Sequence, residues 1–498
     1  MGPISHLLET EPDIKYILLS ALGLLILATI ADQFSRRAEV ADRPVLYWVT
    51  DVNAARVAEM ELFQSWMAEN DYPSFEIRLD SSNSDVSKKL IQGVSGVEAD
   101  ILSLVRDEAW LLQSTGMMAD VLPLAEKHGF TVDQAWPAAA EAFMIDGQQV
   151  GFPRGTPVQA YFLNVDLLKQ HGQPIPSLDW TLEEFEAAGL AFVAAANADE
   201  ERQKYFFCDN INVLPLRRGL GRSMFNETMT RATRDNPESA RVLHLVHKWI
   251  YEDRIIPTQA DLDFFAGSDT NTSRIQLFRQ GRYALLTAAR YSVVQLREGP
   301  AMELVARPLP HGGFPNGLLG TGSVGIYTKS PHQELAAYLL KFFASETYNM
   351  SVVRSSDSMP PVPKYTQIEE YLRPADYPNE WGVHGVMADM MEMAIPVCAS
   401  PFVLPSAANR IEAEFRLGVL ADVYTSEEGV ALADKFINRE IELNISKNPQ
   451  LAAKHARLLA DQAEINRLRA AGELVPIELI TNPFHRRYYV VQGWAKLP

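Results

Sequence analysis

Cysteine is nearly absent from this chain: its 498 residues include two, Cys208 and Cys398. No Cys-x-x-Cys occurs, which excludes a zinc ribbon or a thioredoxin-like redox pair. A disulfide between the two would need an oxidising compartment; two buried free thiols are the simpler reading. Positive charge is also short, with 45 Lys and Arg against 63 Asp and Glu for a net −18. That balance argues against a nucleic-acid partner, because phosphate binding needs a basic face. No P-loop, G-x-S-x-G elbow, internal repeat or low-complexity stretch is present. His244-x-x-His247 has no acidic residue at the spacing of a zinc protease and reads as surface or interlobe packing. Asp261-x-Asp263 followed by Gly267 lacks the other ligands of a calcium loop. No carboxylate pair stands out as a glycosidase couple among so many acids. The chain is expected to hold no catalytic centre, no metal and no cofactor.

What is present begins with length. A chain of this size exceeds what one hydrophobic core usually supports, so two lobes are expected. Hydrophobic residues at 47% and charged residues at 22% are those of an ordinary globular protein. The segment Tyr16–Ala31 runs sixteen residues without a charge. It is long for a signal-peptide core and slightly short for a full span. Glu9, Glu11 and Asp13 precede it with Lys15, and Arg36-Arg37 follow, so the usual basic leader flank is missing. No cysteine lies near its end, which rules out a bacterial lipoprotein anchor. An uncleaved N-terminal membrane anchor is the favoured reading, ahead of a cleaved signal and a buried helix.

After a polar linker, Pro44–Thr50 reads as a strand, and Asp51-Val-Asn53 can cap the helix that follows. There Val57, Met60, Phe63 and Met67 recur at helical spacing and predict one apolar face. Phe75–Leu79, Ser84–Gly93 and Ala99–Leu104 continue the alternation as strand, helix and strand, which argues for a sheet covered by helices. Thr181-x-x-Glu184 is a capping box, Ser330-Pro331 an expected helix start for Glu334–Ala344, and Thr425–Glu428 opens a long helical stretch. Gly320-Thr-Gly322-Ser-Val-Gly325 satisfies G-x-G-x-x-G formally, but a strand follows it rather than a helix, so a dinucleotide site is not expected.

The most informative segment is Gly151–Lys169, GFPRGTPVQAYFLNVDLLK. Breakers at Gly151, Pro153, Gly155 and Pro157 give way to the apolar run Ala160–Leu163, then Asn164-Val165-Asp166 before a helix. This resembles the first hinge strand of the bacterial family 1 extracellular solute-binding proteins, the receptors of carbohydrate importers. Three more stretches resemble that family in the expected order. ADILSLVRDEAWLLQSTGMMADVLPL covers 99–124, FRQGRYALLTAARY covers 278–291, and GLLGTGSVGIYTKSPHQELAAYLLKFFAS covers 317–345. The Asp179-Trp180-Thr181 start also sits where the family has a Trp-containing helix start.

The resemblance implies an α/β, type II periplasmic-binding-protein-like two-lobe fold, here with an N-terminal hydrophobic helix. It divides the chain into an anchor and linker (1–43), lobe 1 (44–152 and 320–355), lobe 2 (153–319 and 356–440) and a C-terminal helical extension (441–498). It implies a non-enzymatic, monomeric receptor, periplasmic or extracytoplasmic and tethered to the inner membrane. Its partners would be a carbohydrate ligand, the permease subunits of an ABC transporter, and the membrane through the N-terminal helix. Sugar recognition needs flat aromatic faces and planar polar groups around them. The candidates are Asp51, Asn53, Arg106, Asp107, Tyr161, Phe225, Arg290, Tyr291, Ser323 and Trp381. Asp51 and Asn53 also read as helix caps, as do Arg290 and Tyr291; Trp110 and Trp180 read as core. The alternatives on this sequence are a sensory module for a membrane kinase or chemoreceptor and, on another footing, a membrane-anchored hydrolase.

Overall fold

The computed structural model describes residues 43–96, 99–105, 108–266, 273–320, 322–397 and 400–497. The apolar run at 16–31, Arg106, Asp107 and Cys398 lie outside the described residues. Among those described, no helix is long and apolar enough to cross a membrane.

The strands in chain order are β1 (Val45–Val49), β2 (Glu76–Asp80), β3 (Ile101–Val105), the hairpin β4 (Met144–Ile145) and β5 (Gln148–Gln149), β6 (Phe152–Gly155) and β7 (Val158–Asn164). There follow β8 (Phe206–Cys208), β9 (Tyr283–Ala288), β10 (Leu304–Arg307), β11 (Gly317–Leu319), β12 (Gly322–Ile326), β13 (Ala394–Pro396), β14 (Val475–Pro476) and β15 (Ala495–Lys496). They build two main sheets. The first has the order β2-β1-β3-β12-β6, with β1 to β3 parallel and β12 antiparallel to both neighbours. The second has the order β13-β11-β7-β9-β8, with β10 also on β7. The chain passes from the first sheet to the second at Thr156-Pro157 and returns between β11 and β12, so β6–β7 and β11–β12 are paired crossings.

Each sheet has its own apolar core. Trp48, Ile101, Leu102, Val324, Phe342 and Phe343 lie in the first, which continues past residue 355 to Val362, Tyr365 and Tyr371. Ala160, Phe162, Phe206 and Leu286 lie on one face of the second sheet, and Leu163, Phe207 and Leu285 on the other. The alternation of neighbours between faces is the two-residue period of a strand covered on both sides.

The local signals transfer unevenly. Asn53 caps the helix Ala54–Glu69 through Arg56 N, and the capping boxes at Thr181 and Thr425 both form. The buried stripe of that first helix is Phe63, Trp66 and Met67 together with Arg56, whereas Val57 faces solvent. Val57 sits in the first turn, two turns ahead of Phe63, and its spacing alone does not bury it. Ser330 does not cap its helix either. Its hydroxyl donates to Asp100 Oδ1 at 2.6 Å, and the helix runs Gln333–Ala344, within one residue of the expected start, with His332 at the cap. The same hydroxyl oxygen accepts from His332 N at 3.0 Å, so Ser330 serves a turn before the helix and the tertiary contact at once.

The expected boundary at residue 440 falls inside the helix Ser426–Lys447, and the chain breaks at Asn448 instead. Beyond it stand the helix Pro449–Ala470, the pair β14–β15 and the helix Pro483–Val491, folded around Ile465, Val475, Ile480 and Tyr489.

Candidate functional site

Two rows of polar groups stand at the strand ends nearest the crossings. On the first sheet, β1 runs out into Thr50 and Asp51. Thr50 Oγ1 donates to Asp51 Oδ1 at 3.1 Å, and Asn53 Nδ2 to Asp51 Oδ2 at 2.5 Å. Behind them Arg56, 3% exposed, reaches Asp51 Oδ1 at 3.3 Å and also pairs with Glu59. Its guanidinium lies 5.3 Å from the Trp48 ring centre, a cation–π distance. Arg154, on β6 beside the crossing, closes the set by donating to Glu59 Oε2 at 3.2 Å. Tyr348 fixes the Arg154 backbone by donating to its carbonyl at 2.7 Å. Burial would raise the Asp51 pKa, but Arg56, the Thr50 hydroxyl and Arg154 outweigh it and hold the carboxyl below its usual range. The result is an ionised, half-exposed carboxylate on a rigid, charge-balanced base.

On the second sheet, β8 ends at Cys208 and runs into Asp209, which is buried. Asp209 Oδ1 accepts from Thr287 N at 2.7 Å and Oδ2 from Arg274 Nη1 at 3.1 Å. Burial pushes its pKa up to about 6, against the pull of Arg274 and the Thr287 amide. Asp209 thus ties the ends of β8 and β9 together and presents the next residues. Asn210 is exposed, and its carbonyl accepts from Thr287 Oγ1 at 2.8 Å. Asn212 Nδ2 donates to Gln159 Oε1 at 3.1 Å, near the start of β7 just past the crossing. This row is amide and hydroxyl in character. Among the described residues no hydrogen bond or ion pair joins it to the first row.

Away from the crossings, β12 and the segment that leads into β6 approach closely through their backbones. A Cβ on Gly151 would lie 2.5 Å from Val324 O, and one on Gly325 2.5 Å from Val150 O. Gly325 therefore serves the β6–β12 packing rather than a ligand, whereas Gly322 looks into open space with only Arg154 near.

The predicted residues meet different outcomes, and Arg106 and Asp107 lie outside the described residues. Asp51 and Asn53 come together at the first row. Ser323 lies on β12 between Leu104 and Pro153 and is 2% exposed, so its hydroxyl is not offered to solvent. Tyr161, Phe225 and Arg290 are corrections. Tyr161 lies under the second sheet, stacked on Phe185 and edge-on to Trp180. Phe225 is buried with Met229 and Phe402. Arg290 is fully buried and grips the C-terminal end of the helix Glu346–Ser355. Its Nη1 donates to Val352 O at 2.9 Å and Ser358 O at 2.8 Å, and its Nη2 to Val353 O at 2.9 Å. Tyr291 and Trp381 are exposed; Trp381 opens the helix Trp381–Met390, and its indole donates to Pro374 O at 3.1 Å. Sequence reasoning missed Arg154, Gln159, Asn210, Asn212 and Thr287. Their one legible signal was position: Arg154 and Gln159 flank the Gly-Pro-rich first crossing, Asn210 and Asn212 follow β8, and Thr287 lies near the end of β9.

His247 pairs with Asp422 on the surface, and Asp261 accepts from the Thr258 amide and hydroxyl at a helix start. Among the described residues no cluster of His, Cys, Asp or Glu could hold a metal.

Comparison with known proteins agrees with this architecture. Residues 61–379 match the bacterial extracellular solute-binding protein family. Among solved structures, an ABC substrate-binding protein from Listeria monocytogenes in complex with cycloalternan superposes with a TM-score of 0.68. It is 17% identical, over 80% of this chain and 99% of that one. An ABC transporter solute-binding protein from Thermotoga lettingae bound with alpha-D-tagatose gives 0.64 at 14% identity, over 80% and 100%. The sugar-binding protein MalE from Xanthomonas citri gives 0.63 at 17%, over 80% and 97%. No curated protein matches by sequence. The family match covers well over half of the chain, and the chain belongs to the bacterial extracellular solute-binding proteins, receptors rather than enzymes.

Proposed function

We propose that this solute-binding protein is the extracytoplasmic receptor of an ABC importer and that its cargo is a carbohydrate, an oligosaccharide in the first instance. The observation that carries the reading is the pair of polar rows, Asp51, Asn53 and Arg154 on one lobe and Gln159, Asn210 and Thr287 on the other. Planar amides, a hydroxyl and an ionised carboxylate are the partners that sugar hydroxyls require. The solved structures that share the fold carry sugars in their names, which supports the same class. A ligand bonded to both rows stabilises a closed arrangement by its extra affinity for it, and the two crossings, β6 to β7 and β11 to β12, are where the lobes would turn. The closed receptor then meets the permease. The uncharged run at 16–31 would keep it at the membrane and raise its effective concentration there.

The test is thermal unfolding of the chain from Ala41 to Pro498 against sugars, polyols, uronic acids and sugar phosphates. At about 100 times Kd a ligand adds roughly 2.7 kcal/mol to the folded state, a visible rise in the melting temperature. A shift with oligosaccharides supports the proposal, a shift confined to another class renames the cargo, and no shift with any of them removes the carbohydrate reading.

A further inference from the structure

The C-terminal extension touches both lobes, and it does so with opposite chemistry on the two sides. Its hold on the second lobe is buried and extensive. Leu458 joins Phe402, Ile437 and Ile441 in one apolar cluster. The His455 ring stands edge-on to Phe402 at 4.7 Å. Gln462 Oε1 accepts from Thr228 N and Oγ1, and Gln462 Nε2 donates to Glu227 Oε2 at 2.9 Å. Glu227 Oε1 also takes the Tyr489 hydroxyl at 2.6 Å and Arg469 at 3.2 Å.

Toward the first lobe, by contrast, the extension offers long cations. Lys454 Nζ donates to Asp146 Oδ2 at 3.1 Å, in the β4–β5 turn, and lies 5.6 Å from the ring centre of Trp110. Asp146 sits in that turn with a left-handed φ of 50°, followed by Gly147, so the carboxylate is held outward on a tight two-residue connection. Arg486 pairs with Glu141 Oε1 at 3.3 Å. Glu141 belongs to the helix Pro137–Phe143, whose Ala139 lies in the core of the second lobe and whose Phe143 lies in that of the first. Arg487 adds its charge to the same carboxylate.

We infer that the extension is an electrostatic latch on the hinge: anchored to lobe 2, it restrains lobe rotation through Lys454 on Asp146 and Trp110 and Arg486 on Glu141. The division of chemistry is what such a device needs. An apolar joint across both lobes would weld them, while solvent-accessible ion pairs are individually weak and can part when the lobes turn. The inference rests on the reading that the two lobes rotate, as proposed above.

Spin labels on the full chain at Lys88→Cys, on the first lobe, and Ala187→Cys, on the second, report the interlobe distance by pulsed dipolar spectroscopy, with Cys398→Ser removing a competing thiol. In 50 mM salt the ligand-free protein is expected to give a narrow distribution. The width is expected to grow at least twofold in Lys454→Met/Arg486→Gln. Raising salt to 1 M, where screening shortens to about 3 Å, should broaden the parent protein similarly and leave the double variant unchanged. Equal widths in parent and variant at low salt overturn the latch. If the variant fails to fold, a parent width that 1 M salt leaves unchanged overturns it instead. Failure of the hinge reading shows elsewhere, as a parent mean distance that no sugar of the thermal panel moves.

Discussion

The Tyr489 hydroxyl donates to Glu227 Oε1 at 2.6 Å, joining residues 262 positions apart and docking the last helix on a loop of the second lobe. The backbone carbonyl of Glu227 also accepts from Thr481 N and Asn482 N, so one residue clasps both ends of the extension's last segment. Tyr489→Phe removes a hydrogen bond to a buried carboxylate and is expected to cost about 1.5–3 kcal/mol. The loss should appear as faster hydrogen exchange confined to residues 449–497, with the first lobe unchanged. Uniform acceleration across the chain would show that the extension does not open as a unit.

Arg290 supplies a heavier prediction. Its guanidinium satisfies the carbonyls of Val352, Val353 and Ser358 and lies 4.4 Å from the ring centre of Tyr371. Arg290→Ala leaves buried carbonyls without donors at the junction of the two lobes, at a cost of about 3–5 kcal/mol. Arg290→Lys keeps the charge but not the fork and is expected to recover only part of it. Urea unfolding of the two variants measures both.

A second buried charge set lies between helices of the second lobe. Glu412 receives Arg217 Nη2 on one oxygen and Arg234 Nη2 on the other, each at 3.0 Å. Burial opposes its ionisation, yet Arg234 and Arg217 outweigh it and hold the pKa at about 2. A depressed carboxylate contributes stability above its unfolded pKa and loses it as pH falls through the folded one. Glu412→Gln is expected to cost about 3–5 kcal/mol at pH 7, and the difference from the parent should shrink as pH drops from about 4.5 towards 2.

Asp209 has the opposite sign. Its folded pKa of about 6 lies above the usual 3.8, so between those values the fold holds a proton that the unfolded chain has lost. Stability present below pH 3.8 is therefore lost as pH rises through 6, by about 3 kcal/mol in all. Asp209→Asn lacks this dependence. Its stability relative to the parent should rise by about that amount between pH 4 and 7, read from urea midpoints across the range.

At the proposed cleft, Asn210→Ala removes an exposed amide while its carbonyl still holds Thr287. The expected result is an unchanged ligand-free melting temperature and about tenfold weaker binding of whichever sugar the thermal panel identifies, the worth of one good hydrogen bond. Unaltered affinity would move the ligand off this row.

Much of the fold was legible in the chain because its signals are local. The Gly-Pro punctuation of 151–157 marked the first crossing, and the capping boxes at Thr181 and Thr425 marked helix starts that form as read. The aromatic site candidates were not legible. Tyr161 and Phe225 have the composition of a sugar platform, but such a residue faces cleft or core according to which neighbours cover it, and here Phe185 and Phe402 do.

By itself the sequence determined the strand and helix periodicities, the two-lobe division, the acidic surface and the absence of metal and nucleotide motifs. These depend on spacing and composition, which a chain carries before it folds. The tertiary structure alone decided which polar residues reach the strand ends together, that Arg290 is a clamp and not a ligand contact, and that the extension bridges the lobes. Arg290 reaches 62 positions along the chain to Val352, and Lys454 reaches 308 positions back to Asp146. Such contacts are set by how two sheets and their covering helices pack, and no local spacing encodes them.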